Sequence, residues 1–273
     1  MPRTLKKPID SGDVESVRQH VHSNPELATT LIPWGPLFRR CRSEPLHYLS
    51  DAPFNQLWNH GRQEEIARIL LSAGAPPNGL PKAGETPLHG AASLGECGVA
   101  RALIEAGAEL ESQASYPGIP DGTPLDFAVH FGMVEVIDLL IAHGARVSSA
   151  RMAAGAGLLE PLSQMLPNGD LIDVYRCACV CDRIEVVEFL ANEGLDLKCH
   201  IEGASALHWA AWEAKPRMVR FLIEQGLPLD QKDSTHRMTP SEWAAHRRKQ
   251  LGPRWGHDDV LETLAVSQTE LNS

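Results

Sequence analysis

Cysteine, aromatic side chains and long apolar runs are all scarce in this chain. Six cysteines in 273 residues (Cys41, Cys97, Cys177, Cys179, Cys181 and Cys199) are too few for a disulfide scaffold, so reduced thiols in a cytoplasmic setting are expected. No stretch approaches the roughly 18–20 apolar residues of a membrane helix; the richest, Val134–Ala142, is broken by Glu135 and Asp138. The opening residues Met1 to Pro8 are basic, but no apolar run follows them, so no secretory signal is expected. H-E-x-x-H, G-x-S-x-G, the Walker loop and G-x-G-x-x-G are all missing, which leaves no catalytic constellation and no implied cofactor or metal. Positive charge is also short. Lys and Arg number 25 against 35 Asp and Glu, a net charge of −10, which argues against nucleic acid or an anionic membrane as partner.

What is there is self-similarity. Glu85-Thr86-Pro87-Leu88-His89-Gly90-Ala91-Ala92 is echoed by Gly122-Thr123-Pro124-Leu125-Asp126-Phe127-Ala128-Val129. Shorter echoes begin at Glu44, Ser205 and Thr239. Gly74, Gly107, Gly144, Gly169, Gly194 and Gly226 each follow a helix-like segment, where a left-handed residue ends a helix at no steric cost. Asn24, ahead of Pro25, reads as the same stop in an atypical first unit. Counting back from the glycines gives Ile66/Ala67/Leu70/Leu71, Val99/Ala100/Leu103/Ile104, Val136/Ile137/Leu140/Ile141, Val186/Val187/Leu190/Ala191 and Met218/Val219/Leu222/Ile223. The spacing i, i+1, i+4, i+5 puts four apolar residues on one helical face. A face so narrow forms no core alone, so neighbouring units must stack.

The T-P-L-H motif, the glycine column and the apolar helix column together resemble the ankyrin repeat. The resemblance implies an all-α solenoid of about seven helix pairs, with a marginal eighth at the N-terminus. Residues 1–43 form a capping unit and linker, and 44–267 the stack, in units 44–78, 85–113, 122–147, 148–172, 173–199, 204–232 and 238–267; 268–273 is a frayed tail. Two middle units lose the motif, and their short glycine spacing predicts no full projecting turn there. Thr86 and Thr123 suit N-caps, Pro87 and Pro124 the first helical position, and His47, His89 and His208 a bond back to the loop. Insertions interrupt the first clear repeat (Asp51 to Arg62, with Trp58) and the last (Arg248 to His257, with Trp255).

In proteins similar to this one, partners bind the concave face, built from first-helix positions after the alanine pair and from the turn before T-P-L-H. Matched residue by residue, these are Ser93/Leu94, His130/Phe131, Gly155/Ala156, Val180/Cys181, Trp212/Glu213 and His246/Arg247. The turn positions are Lys82, Ala83, Glu85, Ile119, Pro120, Ile201 and Glu202. Leu94, Phe131, Trp212, Ile119 and Ile201 make an apolar strip among charges, the pattern of a protein-binding surface, unless Phe131 and Trp212 only pack on each other or on neighbouring turns across the shortened middle. A second row (Tyr48, Gly90, Phe127, Met152, Cys177, Trp209, Trp243) reads as core. The resemblance implies a monomeric, non-catalytic scaffold for an unidentified protein or peptide. The rival is a thiol- or metal-responsive switch on Cys177, Cys179 and Cys181, with Cys181, at an outward position, the reactive thiol.

Overall fold

The computed structural model describes residues 4–35, 41–54, 60–80, 84–168, 170–252 and 255–271. Lys82, Ala83, Trp58 and Gly169 lie outside the described residues. Contacts divide the chain into two units, Met1–Ala128 with Glu135–Arg146, and Val129–Val134 with Val147–Ser273.

The first unit opens with α1 (Lys6–Ser11) and α2 (Val14–Ser23), the full N-terminal helix pair. It continues with α3 (Pro45–Phe54) and α4 (Gln63–Ser72), then α5 (Pro87–Leu94) and α6 (Cys97–Glu105). α7 (Pro124–His130) and α8 (Val134–Ala142) complete the series up to the division. First helices pack on first helices and second on second, α3 on α5 and α4 on α6. Two antiparallel hairpins project between pairs: β1 (Ile32–Trp34) with β2 (Cys41–Ser43), and β3 (Ala114–Tyr116) with β4 (Ile119–Gly122).

The second unit holds α9 (Ala150–Ala156) with α10 (Leu159–Met165), and α11 (Leu171–Val180) with α12 (Ile184–Asn192). α13 (Ala206–Trp212) pairs with α14 (Pro216–Glu224), and α15 (Pro240–Leu251) with α16 (His257–Leu271). The inner row runs α9–α11–α13–α15. One hairpin, β5 (His200–Ile201) with β6 (Ala204–Ser205), leads into α13. Among the described residues no strand precedes α9 or α11, as the short glycine spacing predicts.

Local stereochemistry explains the repeat. Gly74, Gly107, Gly144, Gly194 and Gly226 all have φ between +78° and +95°. The residue after each donates its N–H five residues back, as Ala75 does to Leu70 and Leu195 to Leu190, both at 3.0 Å, closing the helix end in a Schellman motif. Asn24 departs from the expectation: its φ is −147°, because the ring of Pro25 forces the preceding residue into extended backbone. In the second helices the first three column positions, such as Val99, Ala100 and Leu103, are buried and the fourth is half-exposed.

Candidate functional site

The T-P-L-H residues build the frame of the inner surface. Thr86 Oγ1 accepts the His89 N–H, and His89 Nδ1 accepts the Thr86 N–H at 3.2 Å. This capping box fixes the tautomer, so Nε2 donates to the Gly122 carbonyl at 3.1 Å, tying one repeat to the turn of the next. His208 repeats the arrangement, with Ser205 N–H on Nδ1 and the Met238 carbonyl 3.0 Å from Nε2. Burial lowers the pKa of both rings, against backbone bonds that work the other way. These histidines are neutral structural staples. Of the second row, Tyr48, Phe127, Met152 and Cys177 are buried, while Trp209 and Trp243 are half-buried.

Five expected surface residues, Gly155 among them, are not on the surface. Ile119, Val180, Cys181 and Ile201 are each 1% exposed. Ile119 and Ile201 sit in β4 and β5, and strand alternation turns them inward; Ile119 fills the space beside Gly122 and Phe127. Val180 and Cys181 are covered by the end of α7. Cys181 Sγ lies 3.5 Å from the Val129 carbonyl, and a Cβ on Gly132 would stand 2.3 Å from the Val180 carbonyl oxygen. Gly155, Ala156 and Gly157, at the end of α9, are too small to hold those segments apart. Within the second unit, the segment 129–132 therefore lies directly against the end of α11.

This removes the accessible thiol that the rival reading needs. Cys177, Cys179 and Cys181 are all buried. Burial pushes Cys177 up to about 11 and Cys181 up to about 12, and raises Cys179 well above the ordinary thiol value. Among the described residues no group of three or more His, Cys, Asp or Glu is arranged to hold a metal ion.

His130, Phe131, Trp212, Glu213 and His246 remain at least partly accessible, and all of them belong to the second unit. Arg176 does most of the joining, a residue the motif columns do not single out. Its guanidinium faces the His130 Nδ1 at 3.4 Å and carbonyl at 3.5 Å, pairs with Asp173 at 3.2 Å, and lies 5.6 Å from the Trp209 ring centre. Arg151 meets the same His130 Nδ1 at 3.4 Å. Burial first, then the two guanidinium charges, hold His130 down at about 4; the ring is neutral and its Nδ1 an acceptor. Lys215 reaches the Gly132 carbonyl at 2.9 Å.

The aromatic end is a chain of contacts. Trp243 meets Trp209 and Trp212 edge-on, with centres 5.6 and 5.5 Å apart. His246 stacks on Trp212 at 6.2 Å, and Arg247 lies over the same ring at 4.7 Å. Trp209 Nε1 donates to the Ile201 carbonyl and Trp243 Nε1 to Asp233, both at 3.1 Å. Glu213 carries a raised pKa from burial, with Arg247, Lys215 and Arg176 pulling the other way. In the first unit, Ser93 turns its hydroxyl back onto the Gly90 carbonyl at 3.1 Å, and Leu94 is half-buried. Glu85 is also half-buried, and that burial raises its pKa.

A family model of ankyrin repeats in three copies matches residues 56–151 and 174–272. The B-cell lymphoma 3 protein homolog of Mus musculus is 28% identical over 189 residues, which are 67% of this chain and 38% of that protein. Palmitoyltransferase AKR1 of Lachancea kluyveri is 30% identical over 157 residues, 57% of this chain and 19% of that one. The chain thus spans well under half the length of these relatives. The crystal structure of the human ASB11 ankyrin repeat domain aligns with 82% of this chain and 98% of its own, at 21% identity and a TM-score of 0.36.

Proposed function

The chain belongs to the ankyrin-repeat family, and on that premise we propose that it is a non-catalytic scaffold binding a protein or peptide partner on the inner face of its first helices. Ankyrin repeats are generally protein–protein interaction modules, and the fold is typically non-catalytic. The observation that carries the finer reading is the pair Phe131 and Trp212. Both are half-buried aromatics on the inner surface, and Trp212 is clamped by Trp243, His246 and Arg247. A large ring already held in place loses little freedom when a partner covers it, which is how aromatic anchors come to dominate interfaces. In the first unit, Ser93, Leu94 and Glu85, with Lys82, are the proposed contact positions. A reducing, cytoplasmic setting belongs to the same proposal, supported by six free thiols.

The test is quantitative capture of cellular proteins by the immobilised chain, with Trp212→Ala and Phe131→Ala beside the wild type. Loss of one anchor should weaken the specific capture by about 2 kcal/mol, roughly 30-fold in affinity, with unchanged far-ultraviolet dichroism. A partner retained equally by both variants binds elsewhere and refutes the anchor assignment.

A further inference from the structure

The charge around Trp212 runs against that of the whole chain. The protein is formally −10, yet Arg176, Lys215 and Arg247 all act on one carboxylate, Glu213. The Glu213 carboxylate makes no hydrogen bond or ion pair among the described residues, and its burial disfavours the charged form. Asp173, the next acid along the face, is shared between Arg176 and Arg151 at 3.2 and 3.7 Å. Glu202, exposed in the turn before α13, adds a further negative charge near Arg176, and Asp233 is taken up by Trp243 Nε1 and three backbone N–H groups. At physiological salt the Debye length is about 8 Å, so a ligand on this face meets these nearby cations rather than the distant acidic surface.

The second observation is a donor. The indole N–H groups of Trp209 and Trp243 are satisfied within the fold. That of Trp212 finds no acceptor among the described residues, although its ring is held by Trp243, His246 and Arg247. An oriented N–H beside Arg247 is a site for an anionic oxygen, because a charge-assisted hydrogen bond and the guanidinium then act on the same atom.

We propose that the inner face around Trp212 takes an acidic segment of the partner, with an Asp or Glu carboxylate on Trp212 Nε1–H beside Arg247 and an adjacent apolar side chain on Phe131. This deepens the inner-face docking reading and rests on it.

Three fluorescein-labelled pools of twelve-residue peptides test it, alternating Leu, Val or Phe with Asp/Glu, with Asn/Gln, or with Lys/Arg. An oligothymidylate of equal length is the fourth probe. Fluorescence anisotropy on the whole chain should show the acidic pool binding at least about 10-fold tighter than the others and weakening with added salt. Trp212→Phe keeps a ring but removes the donor, and should cost the acidic pool about 5-fold or more; Arg247→Gln should do the same. Binding that favours the Lys/Arg or Asn/Gln pool, tightest binding of the oligothymidylate, or no binding of any probe overturns the proposal. If the Lys/Arg pool wins but Trp212→Ala abolishes its binding, acid selection fails and inner-face docking stands. If the acidic pool binds Trp212→Ala and Phe131→Ala as well as wild type, both fail together.

Discussion

Gly132→Ala should damage the second unit more than Gly194→Ala does. Gly132 has φ +64°, so any alanine there carries left-handed strain of about 1–2 kcal/mol. Its new methyl would also stand 2.3 Å from the Val180 carbonyl oxygen and 3.1 Å from the carbonyl carbon. Both are backbone atoms near the end of α11 and cannot swing aside like a flexible side chain, so overpacking adds about 1–3 kcal/mol. Gly194→Ala is the control. It lies in the same unit at φ +95°, and nothing stands within 4 Å of its virtual Cβ, so it carries the strain alone. Urea denaturation followed by tryptophan fluorescence suits the comparison, since Trp209, Trp212, Trp243 and Trp255 all lie in the second unit. The expected total for Gly132→Ala is about 2–5 kcal/mol, exceeding the control by about 1–3. Equal urea midpoints at equal slopes would refute the packing of the segment 129–132 on the end of α11, and with it the reason given for the burial of Val180 and Cys181.

Two further outcomes follow from buried groups. Asp233 is 2% exposed and accepts from the Thr235, His236 and Met238 N–H groups and from Trp243 Nε1. Burial works to raise its pKa, but those four donors outweigh it and hold the carboxyl well below the usual range. A depressed folded pKa stabilises above the unfolded value near 3.9, and that stability is lost as pH falls through the folded value. Asp233→Asn should therefore lower stability at neutral pH by about 1–3 kcal/mol and flatten the loss of melting temperature below about pH 4; parallel acid limbs in variant and wild type would count against it. Native alkylation at pH 8, read by mass spectrometry, should modify exposed Cys41 well before Cys177 or Cys181, whose pKa values of about 11 and 12 leave only about a thousandth or less as thiolate. Equal labelling of Cys181 and Cys41 in the folded protein would restore the thiol switch.

How far the sequence could be read depended on whether a feature is local. The glycine stops and the Thr–His capping box are settled by the backbone within five residues, so Gly107 and Thr86 can be placed without knowing any neighbour. Asn24 shows the same limit from the other side: the stop was rightly located, but its conformation is set by the ring of Pro25. Ile119 and Ile201 were misplaced because family columns treat turn residues as tips. A β-branched residue shortly before glycine in Ile119-Pro120-Asp121-Gly122 and Ile201-Glu202-Gly203 was the available sign of an inward strand position. Arg176 and Lys215 had no such sign, since their reach to His130 and Gly132 spans 46 and 83 residues.

The degenerate repeats show what the motif is for. T-P-L-H combines a cap, a preset φ and a histidine bridge to the next turn. Units without it keep the cap by other means: Ser149 Oγ accepts from the Met152 N–H, and Asp170 Oδ1 from the N–H groups of Ile172 and Asp173. They omit the projecting strands to which such a histidine would bridge. Stacking across α9 and α11 then falls to other contacts, namely small residues at the end of α9, the Arg183 guanidinium on the Gly155 carbonyl at 2.9 Å, and Lys215 on Gly132. Residues 152–173, which the family model leaves unmatched, thus still fold as a helix pair with its first helix packed on α11. Losing the motif there brings His130 close to Arg176, and that proximity helps assemble the basic, aromatic surface on which the proposed recognition of an acidic segment depends.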